Sequence, residues 1–128
     1  MQEINVFVVD DHQIFLDGIV SLLDDEPNIK IAGTAHNGKQ AIERIKNLKV
    51  DVVLMDINMP EMDGIEATKL LKKTHPDLKI LMLTMHSEPR FIKECLEIGA
   101  KGYVMKNISK DDLLKAIDTV YQDKSYLD

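Results

Sequence analysis

Apolar residues fall along this chain in short blocks that alternate between two periods. Ile4 to Val9 is apolar except for Asn5, rich in β-branched residues, and halts at Asp10-Asp11. Such a run predicts a strand buried on both faces. Ile14, Phe15, Gly18, Ile19, Leu22 and Leu23 then recur at helical spacing, with Pro27 as the stop. Ile29 to Ala35 predicts a second strand, Asn37-Gly38 a turn, and Ala41, Ile42, Ile45 and Leu48 a second helix. Val52 to Met55 predicts a third buried strand ending at Asp56, followed by a loop from Asn58 to Gly64. Ile65, Thr68, Leu70 and Leu71 open a helix closed by His75-Pro76. Ile80 to Leu83 predicts strand four, ending at Thr84. Ile92, Cys95, Leu96 and Ile98 lie on a helix that Gly99 terminates. Gly102 to Met105 predicts strand five, ending at Lys106. Ser109 is placed to cap the last helix, with Asp111 and Asp112 in its first turn.

Five repeats of strand then helix, with strands apolar on both faces, predict an α/β fold. The sheet is expected to be parallel, five-stranded, doubly wound and covered by helices on both sides. Right-handed crossovers leave few topologies, and the flavodoxin-like order 2-1-3-4-5 is the common one for five strands.

Composition narrows the function classes. The 128 residues suit one domain, and 45% hydrophobic residues suffice for a core. A net charge of -6 disfavours direct nucleic-acid binding by this segment. The single cysteine, Cys95, excludes an intrachain disulfide, fits a reducing compartment and reads as a buried core thiol. No signal-peptide pattern and no bilayer-length apolar run are seen, so a cytoplasmic location without membrane contact is expected.

The chemistry lies in the residues that end the strands. In such a sheet ligands sit at the carboxyl ends, near the switch point between strands 1 and 3. The assumed order gathers Asp10, Asp11 and Asp56 there, flanked by Thr84 and Lys106. Taken singly, each has a plainer reading: Asp11 as a helix cap, Thr84 as a strand-end hydroxyl, Lys106 as a solvated charge. Taken together, three carboxylates repel one another unless protonated or bound to a cation. All-oxygen donors favour magnesium, manganese or calcium over zinc or copper, and a site that leaves room for a phosphate suits magnesium (Mg2+). Asp56 could then act as nucleophile toward phosphorus, with Lys106 neutralising charge and Thr84 bonding an oxygen. His12, His36, His75 and His86 lack ligand spacing and are read as non-ligands. His12 and His86 flank the site. Met55, Met82 and Met105 read as strand core, and Met59 and Met62 as loop residues, with nothing in the sequence to support a partner-contact role.

VVDDH at 8–12, LMDINMPEMDG at 54–64, LMLT at 81–84 and GYVMK at 102–106 resemble the receiver domain of bacterial two-component response regulators. The resemblance covers essentially the whole chain. It implies that Asp10 and Asp11 are the metal-binding acidic pair and Asp56 the phosphoacceptor. It also implies that Asn58 supplies a backbone carbonyl to Mg2+. Thr84 and Tyr103 resemble the switch hydroxyl and switch aromatic, and Lys106 the lysine of the site. Without the resemblance, Tyr103 would read as a packing residue. The Asp-Asp-His opening, Leu-Thr-Met-His and Lys106-Asn107 are most similar to the subgroup with a LuxR-type helix-turn-helix output domain. Three positions depart: Asn107 where proline is usual, Met85 where a small residue is usual, and Asp17 where the subgroup often has a basic residue. Met85 is expected to crowd the phosphoryl group.

The implied function is a phosphoacceptor switch rather than an enzyme acting on a separate substrate. A sensor histidine kinase would donate to Asp56 in a magnesium-dependent reaction. The helix 4–strand 5–helix 5 face would then change its contacts. Homodimerisation, and DNA binding only through a C-terminal domain outside this segment, are the expected readouts. A stand-alone receiver acting through protein contacts is the alternative. Residues 1–122 are expected to form the receiver, and 123–128 the start of a linker.

Two other chemistries fit less well. An aspartyl-phosphate phosphatase of the haloacid dehalogenase type needs a second acid two residues after the nucleophile, where Asn58 stands. A flavodoxin-like carrier needs a phosphate loop after strand 1, where Asp10 and Asp11 would repel the ligand. A calcium loop over 56–67 fails at Pro60, Glu61 and Ala67.

Overall fold

The computed structural model describes residues 3–85 and 89–127; His86 lies outside the described residues. The elements follow in the order β1 (Ile4–Val9), α1 (Gln13–Asp24), β2 (Ile29–Ala35), α2 (Gly38–Ile45), β3 (Val52–Asp56), α3 (Gly64–Thr74), β4 (Lys79–Thr84), α4 (Pro89–Glu97), β5 (Gly102–Met105), α5 (Lys110–Tyr121) and β6 (Tyr126–Leu127). All strands pair in parallel, in the order β2-β1-β3-β4-β5-β6. The first five stand in the predicted order 2-1-3-4-5.

The strands are apolar on both faces because both faces are covered. Alternation along each strand sends Phe7, Val9, Val53, Met55, Ile80, Met82 and Tyr103 into one core, with Ala41, Leu71 and Cys95 among the helical residues there. Val6, Val8, Val52, Leu54, Leu81, Leu83 and Val104 enter the opposite core, against Leu16, Ile19, Leu113 and Ile117. Helices α1 and α5 thus cover one face and α2, α3 and α4 the other.

The structure corrects several details. The sheet gains a sixth strand: Gly102 and Tyr103 pair with Tyr126 and Leu127, and the Tyr126 amide donates to the Lys101 carbonyl at 3.0 Å. Two residues carry no detectable period, so the strand leaves no trace in the pattern. Asn37-Gly38 is the entry of α2 and not a reverse turn: the Asn37 side chain accepts from the Gln40 amide at 2.8 Å. Leu48 lies beyond α2, in a turn, and is exposed. Ile14 belongs to α1 but is 91% exposed. Met59, in the loop where the sequence places it, is buried, with Met62 packed against the same core. The two methionines hold the β3–α3 loop down by its apolar side.

Two glycines are required where they stand. Gly99 ends the α4 segment at φ 105°, a left-handed conformation that L side chains rarely adopt. Gly64 opens α3 so close to the end of β3 that a Cβ would lie 2.1 Å from the Asp56 carbonyl oxygen. Its amide donates to the Ile57 carbonyl at 2.8 Å, tying the loop to the strand end.

Candidate functional site

Parallel pairing sets the strand ends side by side. Val9 pairs with Met55, Asp56 with Leu83, and Thr84 with Met105. The residue that ends each strand therefore opens onto one shared edge. The Asp10 amide donates to the Ala35 carbonyl at 3.1 Å, the Ile57 amide to Leu83 at 3.2 Å, and the Lys106 amide to Thr84 at 2.8 Å. These bonds continue the ladder one residue past the strands and hold the site on the sheet.

Asp10, Asp56 and Thr84 are all buried, unusual for polar residues and most so for two carboxylates. The Lys106 side chain, only 5% exposed, reaches between the carboxylates. Its Nζ lies 2.6 Å from Asp10 Oδ2 and 3.3 Å from Asp56 Oδ1. It also sits 4.6 Å from the centre of the Phe15 ring, a cation–π contact from α1. Asp11 stands at the rim, its side chain 26% exposed. Asp10 Oδ1 accepts from the His12 amide at 2.8 Å, so Asp10, not Asp11, shapes the entry to α1. His12 is the N-cap residue of that helix and makes no side-chain cap bond.

One ammonium does not balance this group. Asp56 Oδ2 is buried and meets no hydrogen-bond donor among the described residues. Burial above all, then repulsion from Asp10, pushes the Asp56 carboxyl up to about 7, and Lys106 only partly opposes the rise. One carboxyl oxygen each from Asp10, Asp11 and Asp56, together with a His12 ring nitrogen, lie within 4.8 Å of one another. Unsatisfied buried carboxylate oxygens in such a cluster suit a hard divalent cation. The site residues thus fit the magnesium expected from the sequence.

The remaining sequence candidates are placed as follows. Asn58 lies in the β3–α3 loop, two residues past Asp56, and is exposed. Tyr103 is buried in the core shared with α4. Met85 follows Thr84 and is 61% exposed. Sequence reasoning excluded His12 on spacing, yet its Nδ1 lies 3.2 Å from both Asp10 Oδ1 and Asp11 Oδ1. The signal was its adjacency to the acidic pair, which a spacing rule for zinc ligands does not weigh.

Known proteins resemble the chain throughout. The family model for the response regulator receiver domain matches residues 6–118. The transcriptional regulatory protein LnrK of Bacillus subtilis is 42% identical over 118 residues, 92% of this chain and 54% of LnrK. The transcriptional regulatory protein DegU of Brevibacillus brevis is 36% identical over 125 residues, 98% of this chain and 53% of DegU. The chain thus spans about half the length of these relatives. The crystal structure of the non-phosphorylated receiver domain of RcsB, a stress response regulator from Escherichia coli, superposes with a TM-score of 0.91. It is 29% identical and covers 99% of each chain. Fold, strand-end residues and these matches together show that the chain belongs to the family of response regulator receiver domains, signalling switches rather than catalytic enzymes.

Proposed function

We propose that Asp56 accepts a phosphoryl group from a phosphohistidine of a sensor histidine kinase. One observation carries the reading: the Asp56 carboxylate is buried with one oxygen lacking a donor, between Lys106 and the acidic pair. A carboxylate oxygen of Asp56 attacks phosphorus as the bond to the donor nitrogen breaks. The imidazole leaves with the electron pair, and the product is an acyl phosphate. Asp10, Asp11, Asp56 and the backbone carbonyl of Asn58 would hold Mg2+. That ion would supply positive charge against the phosphoryl oxygens and keep Asp56 ionised at neutral pH. Lys106 is already placed to follow charge from Asp56 to a new phosphoryl oxygen, while its contact with Asp10 keeps it at the site. Thr84 would bond a second oxygen.

Thr84 and Tyr103 would carry the signal away from the site. They lie on neighbouring strands β4 and β5, and both are buried, so movement of one displaces packed neighbours. The readout would be homodimerisation and DNA binding by an output domain outside this segment, as the transcriptional role in the names of DegU and LnrK suggests. The same reading places the protein in the cytoplasm; no described helix is long and apolar enough to cross a membrane.

Incubation with acetyl phosphate and Mg2+ should add the mass of one phosphoryl group to the intact chain. Peptide mapping should locate it at Asp56, and Asp56→Asn should abolish it. Undiminished labelling of Asp56→Asn would sink the assignment.

A further inference from the structure

Beyond the acidic residues, the site contains one group with no assigned part. The His12 ring stands over the pair, Nδ1 at 3.2 Å from an oxygen of each aspartate, while most of the side chain is in solvent. We propose that His12 Nδ1 is a cation ligand, giving this site one nitrogen donor and a preference for borderline divalent ions over magnesium. The inference rests on the cation-binding reading of the acidic cluster and names a further donor within it.

Geometry supports this in three ways. Donors adjacent on an octahedral cation, with bonds of about 2.1 Å, lie about 3 Å from one another. The two His12 distances match that spacing, so Nδ1 stands to both aspartate oxygens as a neighbouring donor would. The backbone beneath the ring is held as well: the His12 amide donates to Asp10 Oδ1 at 2.8 Å, which anchors the residue at the rim of the site. Finally, Asp56 Oδ2 points to a ligand independently of His12, being a nearly fully buried carboxylate oxygen with no donor. The bland alternative makes His12 an internal donor, its Nδ1–H shared between the two carboxylates. In that case a bound cation would expel the ring.

The two roles predict opposite metal chemistry. A neutral imidazole with its proton on Nε2 gives a lone pair that suits nickel, zinc or manganese better than magnesium. A ring that only donates a hydrogen bond adds nothing to the order that the carboxylates already impose.

Manganese is the direct probe, because a coordinated ring nitrogen modulates its pulsed EPR echo. The protein loaded with one equivalent of Mn2+ should show nitrogen-14 modulation. His12→Gln should abolish it, and His36→Gln should leave it intact. By calorimetry, His12→Gln should weaken Ni2+ binding about tenfold and Mg2+ binding by less than about threefold. Stoichiometric Mn2+ binding without nitrogen modulation, or modulation that survives in His12→Gln, overturns the proposal and leaves the acidic site standing. Absence of Mn2+ binding by the wild-type protein overturns both.

Discussion

The residue with most at stake is Asp56. Burial, together with Asp10, raises its carboxyl from 3.8 to about 7. The folded state therefore holds that proton more tightly than the unfolded chain does. Stability from this group is fully present below about pH 4 and is lost as pH rises through about 7. With divalent ions chelated, urea midpoints measured from about pH 5 to about pH 8 should fall for the wild type and fall less for Asp56→Asn. Asn removes the buried charge at nearly constant volume, and Lys106 keeps its contact with Asp10. Near neutrality Asp56→Asn should stabilise the chelated protein by about 2 kcal/mol, half or less of the full cost implied by the shift once solvent screening is allowed for. Adding Mg2+ should narrow the difference. Equal midpoints across the range would show that the carboxylate is not strained. The gathering of Asp10, Asp11, Asp56, Thr84 and Lys106 at one edge was legible because strand-end position converts sequence into proximity. Asp10 pairing with Lys106, and Asp11 standing at the rim, were not legible: which of two adjacent aspartates turns inward depends on the helix entry.

At the scale of elements, apolar runs located β1, β2 and β5 to the residue and β3 and β4 to within one. Such runs are legible because both faces of each strand are buried. Helix faces were read less well. Ile14 and Leu70 fit the helical period yet face solvent, since periodicity records an angle and not what lies opposite it. The β3–α3 joint shows how a single side-chain hydrogen can position the site. A methyl group at Gly64 would meet the Asp56 carbonyl carbon at 2.9 Å as well as its oxygen, and both are backbone atoms that cannot turn aside. Gly64→Ala should therefore push α3 and the Asn58 loop away from β3. We expect a loss of about 3 kcal/mol in chemical denaturation. We also expect the phosphodonor labelling of Asp56 to fall well beyond what the lost stability explains. Ala67→Gly, in the same helix, should destabilise without changing labelling of the folded protein. A Gly64→Ala protein of unchanged stability and labelling would show that the joint yields freely.

For the molecule as a whole, the segment expected to begin a linker is in part built into the sheet. Beyond α5 the chain turns at Asp123, whose φ of 65° is left-handed, and returns to lay Tyr126–Leu127 beside β5. Asp123 Oδ1 lies 3.0 Å from Lys79 Nζ and 3.3 Å from Lys101 Nζ, at the starts of β4 and β5, the sheet edge opposite Asp56. These lysines hold its carboxyl below the usual range. Their hold is therefore complete at neutral pH and is lost as pH falls through the depressed value. The carboxylate is exposed, so the pairs steer the turn more than they stabilise the fold, and salt should weaken them. Asn at this position tolerates the left-handed backbone and removes only the charge. Asp123→Asn should accelerate hydrogen exchange of the Tyr126 amide, now bonded to Lys101, while exchange in β1 and β3 stays unchanged. High salt should reproduce the effect in the wild type. If the Tyr126 amide remains equally protected, β6 is held without the lysine pair, which is then incidental. If protection falls, two lysines on the edge opposite Asp56 set where β6 joins the sheet.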